Sequence, residues 1–217
     1  VVVLWQCQVC LMDSCLGIPI YSFYYPGDRQ AVHEACKRLS YSHNKCNWIW
    51  DGVNSDGIGG SDLHTLPEFA DLFSWIQECL NEVARDIGMD NDLKICSSWS
   101  NLNKTGDFFF NHTHANCFAS SNYYVNGDSR THTIWQLPNP WFNETNIWPW
   151  GEFSEEKFFI THHEPTEEGK YIVFPPMLRH RAEPNLSEED RITIAANAFP
   201  DGLTNASGVS HLNVKVL

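Results

Sequence analysis

Histidine, arginine and threonine residues occur at spacings that suit a metal site with an anion beside it. His112 and His114 are two residues apart, so on a strand their side chains point to the same face. His180 lies in one later predicted strand, and Arg191 and Thr193 lie two apart in the next. Two imidazoles from one strand and a third from another would give a transition metal three nitrogen ligands and leave its other positions open. We therefore take the three histidines as candidate metal ligands and the Arg-Thr pair as a candidate anion clamp.

The segment that carries His180 and Arg191 predicts a β-hairpin. Residues 176–183 and 190–199 read as strands, and PNLSEED between them has the Pro, Asn and Ser of a turn. With the turn near Ser187, Arg191 pairs near Glu183, on the order of 10 Å from His180 at about 3.3 Å per residue. A dicarboxylate could span that gap from a metal to the guanidinium. The alternative is a surface histidine and an ion-paired arginine.

Other histidines compete for the ligand role. His132, His162 and His163 offer imidazoles as well. However, they flank predicted loops, and no arginine follows them at a matching distance. A lone H-x-H pair is also a weak signal, so the metal hypothesis depends on its combination with His180 and Arg191.

Composition limits the class of protein. The chain of 217 residues is 42% hydrophobic and 19% charged, which predicts one globular domain. Its formal net charge of −13 disfavours nucleic acid or an anionic membrane surface as partner. No apolar run approaches the roughly 18–20 residues of a membrane span. The eight cysteines are scattered, which favours reduced thiols and a cytoplasmic protein.

The order of elements predicts helices first and strands afterwards. Residues 18–25 read as a strand, 28–39 as a helix capped by Asp28, and 42–64 as a polar loop. Thr65-Leu66-Pro67-Glu68 resembles a capping box before a long amphipathic helix that ends at Gly88. Residues 1–17 are apolar but lack the basic segment of a signal peptide. Met12 is a candidate first residue, so we assign no function to this N-terminal segment.

From residue 94 onward the pattern is that of short strands. Strands are predicted over residues 94–101, 107–114, 118–126, 131–136, 157–162, 171–174 and the hairpin, with 213–217 closing the sheet. Short strands after helices predict an α+β, mainly β protein, a sandwich or jelly roll buttressed by N-terminal helices. We expect a single domain, with 1–93 as support and 94–217 as core.

A Trp-rich insertion interrupts the strands. PNPWFNETNIWPWGEF contains Trp141, Trp148 and Trp150, which we expect to line a substrate-binding surface because exposed tryptophans are otherwise costly. The alternative is that they pack beneath their own loop.

The combined motifs resemble those of the iron(II)- and 2-oxoglutarate-dependent dioxygenases. The resemblance is to the branch from bacteria and phages with W-x-N, G-D, H-x-H, S-x-x-Y-Y, FP-x-x-L-x-H, PN and R-I-[ST] in that order, and it covers residues 95–199. The matching positions are Trp99, Asn101, Gly106, Asp107, His112, His114, Tyr123, Tyr124, Phe174, Pro175, Leu178, His180, Pro184, Asn185, Arg191, Ile192, Thr193 and Asn197.

This resemblance implies a double-stranded β-helix, which is a jelly roll, and a cofactor set. The histidines would bind Fe(II), and 2-oxoglutarate would chelate the metal and pair its far carboxylate with Arg191 and Thr193. Tyr123, Asn101 and Asn197 are further candidates for cosubstrate contacts, although core hydrogen bonding would also account for them. The other partners would be O2 and an unidentified substrate: a peptidyl side chain, an amino acid or a small metabolite that is hydroxylated.

One position departs from the wider superfamily, which has Asp or Glu where this chain has His114. Three neutral ligands would leave the metal site one negative charge short, which favours a dianionic cosubstrate. Alternatively, His114 is not a ligand.

Two rival functions remain open at this stage. A three-His cupin dioxygenase would activate oxygen without 2-oxoglutarate and would not need Arg191 or Thr193. A jelly-roll carbohydrate-binding protein would use the tryptophans to bind sugar and would have structural histidines.

Overall fold

The computed structural model describes residues 10–15, 17–52, 61–139, 158–204 and 212–216. Two antiparallel sheets and two α-helices make up most of this part of the chain. The predicted mainly β jelly roll is therefore confirmed.

The large sheet has eight strands in the order β1-β2-β10-β7-β12-β5-β4-β3. Its strands are β1 (Cys10–Cys15), β2 (Ile18–Tyr24), β3 (Tyr41–Asn44), β4 (Asn47–Trp50), β5 (Leu93–Asn103), β7 (Ala119–Tyr124), β10 (Lys170–Phe174) and β12 (Arg191–Pro200). β12 lies between β5 and β7 and is buried over nearly all its length, as expected of a run as apolar as ITIAANAF.

The small sheet has four strands in the order β6-β11-β8-β9. They are β6 (Phe109–His112), β8 (His132–Pro138), β9 (Phe159–Pro165) and β11 (Arg179–Ala182). A separate two-stranded ribbon joins β13 (Gly202–Thr204) to β14 (Leu212–Val214). From β5 to β12 the chain crosses repeatedly between the two sheets, with only β8 and β9 consecutive in one sheet, so the inner faces of both sheets enclose one space.

Two helices cover the outer face of the large sheet. α1 (Arg29–Lys37) begins at Asp28, whose side chain accepts a hydrogen bond from the Ala31 N–H as predicted. α2 (Ala70–Asp86) lies against β5 and buries an apolar stripe that includes Leu72, Ile76 and Leu80. A backbone φ of +78° at Gly88 ends α2, since glycine adopts the left-handed region without strain.

The predicted hairpin between His180 and Arg191 is wrong. β11 pairs with β6 and β8, whereas β12 pairs with β5 and β7, so the two strands lie in different sheets. The polar segment between them crosses from one sheet to the other. The reason is burial: β12 is apolar on both faces and needs a partner on each side, which a two-stranded hairpin cannot provide.

Three further local predictions are also wrong. Residues 41–50 form the β3–β4 hairpin rather than a loop, with Lys45 in the left-handed region at its turn. Thr65 does not cap α2: its hydroxyl donates to the Asp62 carbonyl, and short 3-10 helices at Leu63–Thr65 and Pro67–Phe69 precede α2. The C-terminal strand pairs with β13 and does not close the large sheet.

Other predictions fall outside the part of the chain that is described, or are not tested by it. Trp141, Trp148 and Trp150 lie outside the described residues. The boundary between support and core at residue 93 stays a prediction, and β1 to β4 from the N-terminal part join the same sheet as the core strands. Neither described helix has the length and apolar character needed to cross a bilayer.

Candidate active site

The pairing of β6 with β11 brings two of the three candidate histidines together. His112 on β6 and His180 on β11 are cross-strand partners. Directly opposite residues on neighbouring antiparallel strands share a face, so both rings point inward. His114 lies just beyond β6, where its backbone N–H donates to the Pro176 carbonyl. This hydrogen bond turns the chain so that the third imidazole approaches the other two.

The three rings form a compact cluster. The ring centroids of His112 and His180 are 4.3 Å apart, and that of His114 is 5.1 Å from each. The Nε2 atoms of His114 and His180 are 3.3 Å apart. With metal–nitrogen bonds of about 2.0–2.1 Å, two ligands at 90–109° are separated by about 2.8–3.4 Å. The spacing therefore fits two ligands of one ion.

Each histidine of the cluster is held by a hydrogen bond at its other nitrogen. His112 Nδ1 lies 2.9 Å from the Phe110 carbonyl, and His180 Nδ1 lies 2.9 Å from the Leu178 carbonyl. His114 Nδ1 lies 3.0 Å from Asn197 Oδ1, which also accepts from the Ser120 hydroxyl. Because these oxygens can only accept, each Nδ1 carries the proton and each Nε2 keeps its lone pair. A histidine that binds a metal through Nε2 needs this tautomer.

Burial keeps the cluster neutral. Desolvation, together with the neighbouring His112, lowers the pKa of His180 to about 3 and that of His114 to about 4. Desolvation also lowers the pKa of His112. At neutral pH all three lone pairs are available, and no carboxylate among the described residues joins this cluster of possible ligands. The donor set thus suits a borderline divalent transition metal bound through three neutral nitrogens.

Arg191 is the second feature of the site. Its side chain is buried, with 3% exposure, and desolvation lowers the pKa of its guanidinium. Nη2 donates to the Glu183 carbonyl at 2.7 Å, and Nη1 lies 3.4 Å from the Thr131 hydroxyl. In the described part of the chain no acidic side chain forms an ion pair with it. An unpaired buried charge costs several kcal/mol, so an anion is the expected partner.

One cavity of about 90 Å³ connects the histidines with Arg191. Trp99, Phe109 and Phe174 line its metal end, and their rings contact the histidines. Asn101 and Thr193, which are cross-strand partners, line it between the two ends. Both were predicted to contact the cosubstrate, and both lie in the wall of this cavity.

Two predicted contact residues lie elsewhere. Tyr123 is fully buried on the opposite face of β7, in the core beneath the helices, and its neighbour Tyr124 lines the cavity instead. Asn197 does not line the cavity; it holds His114 from behind. Successive side chains of a strand point to opposite faces, so Tyr123 and Tyr124 must face opposite ways. Which of the two faces inward depends on the pairing of β7.

Two asparagines of the site were missed. Asn103 is the cross-strand partner of Arg191, and the register of β4 with β5 places Asn47 opposite Asn103. Both line the cavity, and Asn47 is fully buried. Neither amide atom of Asn47, nor Nδ2 of Asn103, has a hydrogen-bond partner among the described residues. Asn47 was missed because its segment was assigned to a loop.

The contact between Asn197 and His114 gives a test of the metal site. Asn197→Ala is expected to weaken the binding of Ni(II) or anaerobic Fe(II) by about 10- to 100-fold, because the His114 ring loses the acceptor that fixes it. Competition with a chromogenic chelator measures this change. Ser121→Ala is the control, since that buried hydroxyl donates to the Ala196 carbonyl and touches no histidine. Equal affinities in the Asn197→Ala variant and the wild type would contradict the role of Asn197.

Comparison with solved structures identifies the fold. HygX from Streptomyces hygroscopicus, with nickel and 2-oxoglutarate bound, superposes with a TM-score of 0.59 at 13% identity, covering 91% of this chain and 92% of HygX. The epimerase SnoN from nogalamycin biosynthesis gives 0.58 at 11% identity, over 88% and 82% of the two chains. A Pseudomonas putida prolyl-4-hydroxylase gives 0.54 at 12% identity, over 84% and 93%. At these identities the similarity establishes the fold.

Comparison of sequences finds one similarity to a known family. No curated protein sequence matches the chain. Residues 97–197 match the family model described as "Putative 2OG-Fe(II) oxygenase". That segment holds the three clustered histidines, the buried Arg191 and the hydrogen bond partner of His114. Over residues 97–197 the chain is therefore similar in sequence to the 2OG-Fe(II) oxygenases.

Proposed function

We propose that the protein is an oxygenase that binds Fe(II) through His112, His114 and His180, uses 2-oxoglutarate and O2, and hydroxylates its substrate. The observation that carries this proposal is that one cavity holds two features. Three clustered histidines face it at one end, and at the other end lies the buried guanidinium of Arg191, which has no acidic partner among the described residues. A dicarboxylate with a metal-chelating end satisfies both features. A sugar-binding protein would need neither of them.

The three histidines would hold the metal rigidly. Their Nδ1 hydrogen bonds and the flanking aromatic rings fix each ring before the ion arrives, so little ordering is needed on binding. Bound Fe(II) would supply open coordination positions at which 2-oxoglutarate and O2 react.

The charges of the site favour a dianion. Three neutral ligands would leave the full divalent charge of the metal at one end, and Arg191 adds a positive charge at the other. The formal net charge of the chain is −13, so these local charges act against the overall field. A buried guanidinium binds a carboxylate in a charge-assisted pair, and the Thr193 hydroxyl can donate beside it.

Asn47 and Asn103 would complete the anion end. Their unpaired amide groups lie in the same cross-strand row as Arg191. A buried amide without a partner is costly, so a bound carboxylate or an ordered water at this position would satisfy it. Asn101 Oδ1, which also has no partner among the described residues, could accept a hydrogen bond from an ordered water in the cavity, since a carboxylate cannot donate to it.

A cytoplasmic location is part of the proposal. Four described cysteines, Cys36, Cys46, Cys96 and Cys117, are free thiols. Reduced thiols are typical of the cytoplasm.

Replacement of Arg191 tests the use of 2-oxoglutarate. Arg191→Met keeps much of the side-chain volume and removes the charge. The affinity for 2-oxoglutarate should therefore fall by roughly 10- to 100-fold, because a hydrogen bond to a charged group contributes about 1.5–3 kcal/mol. Metal binding should change little, because Arg191 does not contact the histidines. The charge-transfer absorption of the anaerobic Fe(II) complex, titrated with 2-oxoglutarate, measures the affinity.

Arg179→Met is the matched control, because Arg179 is an exposed arginine of β11. Unchanged 2-oxoglutarate affinity in Arg191→Met would leave Arg191 a structural residue, and the absence of the charge-transfer absorption in the wild type would favour a dioxygenase that does not use 2-oxoglutarate.

Asn47→Leu separates a binding role from a structural one. In the cofactor-free protein the substitution should leave the free energy of unfolding unchanged or higher, because the wild-type amide is buried without a partner at a cost of about 1–3 kcal/mol. The affinity for 2-oxoglutarate should fall about fivefold, the ~1 kcal/mol of one hydrogen bond. Urea denaturation and the same absorption titration measure the two effects. Higher stability with unchanged affinity would exclude Asn47 as a contact.

The reaction class needs a separate experiment, because the structural neighbours include an epimerase and a carbocyclase as well as a hydroxylase. Amino acids, peptides and small metabolites are screened for stimulation of succinate formation, and the product is analysed by mass spectrometry. We expect a product that has gained one oxygen atom. An unchanged mass would indicate epimerisation, and the loss of two hydrogens would indicate ring closure or desaturation.

A further inference from the structure

A second group of possible ligands lies on the outer face of the small sheet. It comprises His132 on β8, His163 on β9 and Glu183, the residue after β11. His180, Trp135 and His162 are cross-strand neighbours that share one face, whereas Arg181, Ile134 and His163 share the other. His132 and Glu183 are each two residues from members of this second row, so all three face away from the catalytic histidines.

The distances within this outer group suit a single ion. One ligand atom from each residue lies within 4.8 Å of those of the other two. The rings of His132 and His163 have centroids 5.6 Å apart and are inclined at 69°, so they approach from different directions. The side chains of His132 and Glu183 are 28% and 30% exposed, which gives an ion a path from solvent.

The backbone holds two members of the group in place. The Glu183 N–H donates to the His132 carbonyl at 3.0 Å, and the His132 N–H donates to Glu183 Oε2 at 2.9 Å. His132 Nδ1 lies 2.8 Å from the same carboxylate oxygen. Glu183 Oε2 therefore accepts from one residue twice, while its other oxygen makes no hydrogen bond among the described residues. Ligands on adjacent strands that are fixed in this way need little reorganisation to bind an ion.

We propose that His132, His163 and Glu183 form a second metal site that binds a borderline divalent ion such as Zn(II). Two imidazoles and one carboxylate are a common zinc ligand set, and water would complete the coordination. The alternative is a hydrogen-bonded His–Glu pair with a neighbouring histidine. The site is distinct from the candidate iron site, and the inference does not rest on the proposed oxygenase activity.

An ion at this second site would also affect the cavity on the other side of the sheet. The main-chain carbonyl of Glu183 accepts the hydrogen bond from Arg191 Nη2. Its side chain faces the second site, so binding of an ion there would fix the peptide that positions the guanidinium. The site would act as a structural brace for the anion end of the cavity.

Zinc stoichiometry tests the proposal. Protein stripped of metal is dialysed to equilibrium against chelator-buffered Zn(II) at neutral pH, and bound zinc is measured by elemental analysis. Wild type should bind two ions per chain, and the His112→Ala/His180→Ala double variant should bind one. Adding His163→Ala to the double variant should abolish the remaining ion. His43→Ala is the control, since His43 is an exposed histidine that belongs to neither group.

Glu183→Gln keeps the size and the main-chain hydrogen bonds and covers the case in which His163→Ala fails to fold. It should weaken zinc at the second site at least tenfold. No ion bound by the His112→Ala/His180→Ala variant, or that ion retained after both His163→Ala and Glu183→Gln, overturns the proposal. In the double variant, zinc should also slow hydrogen exchange at the Glu183 amide; unchanged exchange would contradict the bracing role.

Discussion

The site depends on the pairing of β12 between β5 and β7. This strand carries both ends of the cavity: Arg191 lies at one end, and Asn197 holds His114 at the other. Thr193 lines the space between them. Because a strand is stiff and its side chains alternate, a single pairing register fixes the distance from the anion clamp to the metal cluster. A slip of one residue would turn Arg191 away from the cavity and Asn197 away from His114.

Electrostatics explain why this cavity tolerates such polar walls. Its histidines are neutral because burial lowers their pKa, and its arginine stays without an acidic partner among the described residues. The direct contact of Arg191 with Glu183 is a hydrogen bond to the Glu183 main-chain carbonyl, while the Glu183 carboxylate lies next to His132. The fold therefore keeps positive potential inside an acidic protein, and only a bound anion can neutralise it.

The small sheet separates two clusters of histidine side chains. On its inner face, β6 and β11 bring His112 and His180 together; on its outer face, β8 and β9 bring His132 and His163 together. Glu183 belongs to both sides, with its carboxylate outside and its carbonyl bonded to Arg191. The four strands thus position ligands for one candidate metal site on each face.

The sequence by itself determined the elements that local patterns encode. Alternation and apolar periodicity located most strands and α2, and the H-x-H pair, His180 and Arg191 were identified from residue type and spacing. Only the tertiary structure decided which strands pair. Burial on both faces draws β12 away from β11, and this separates the predicted hairpin. The tertiary structure also decided that Tyr123 faces the core, that Asn197 orients His114, and that Asn47 lines the cavity. These facts depend on contacts between residues far apart in the chain, which no local pattern encodes.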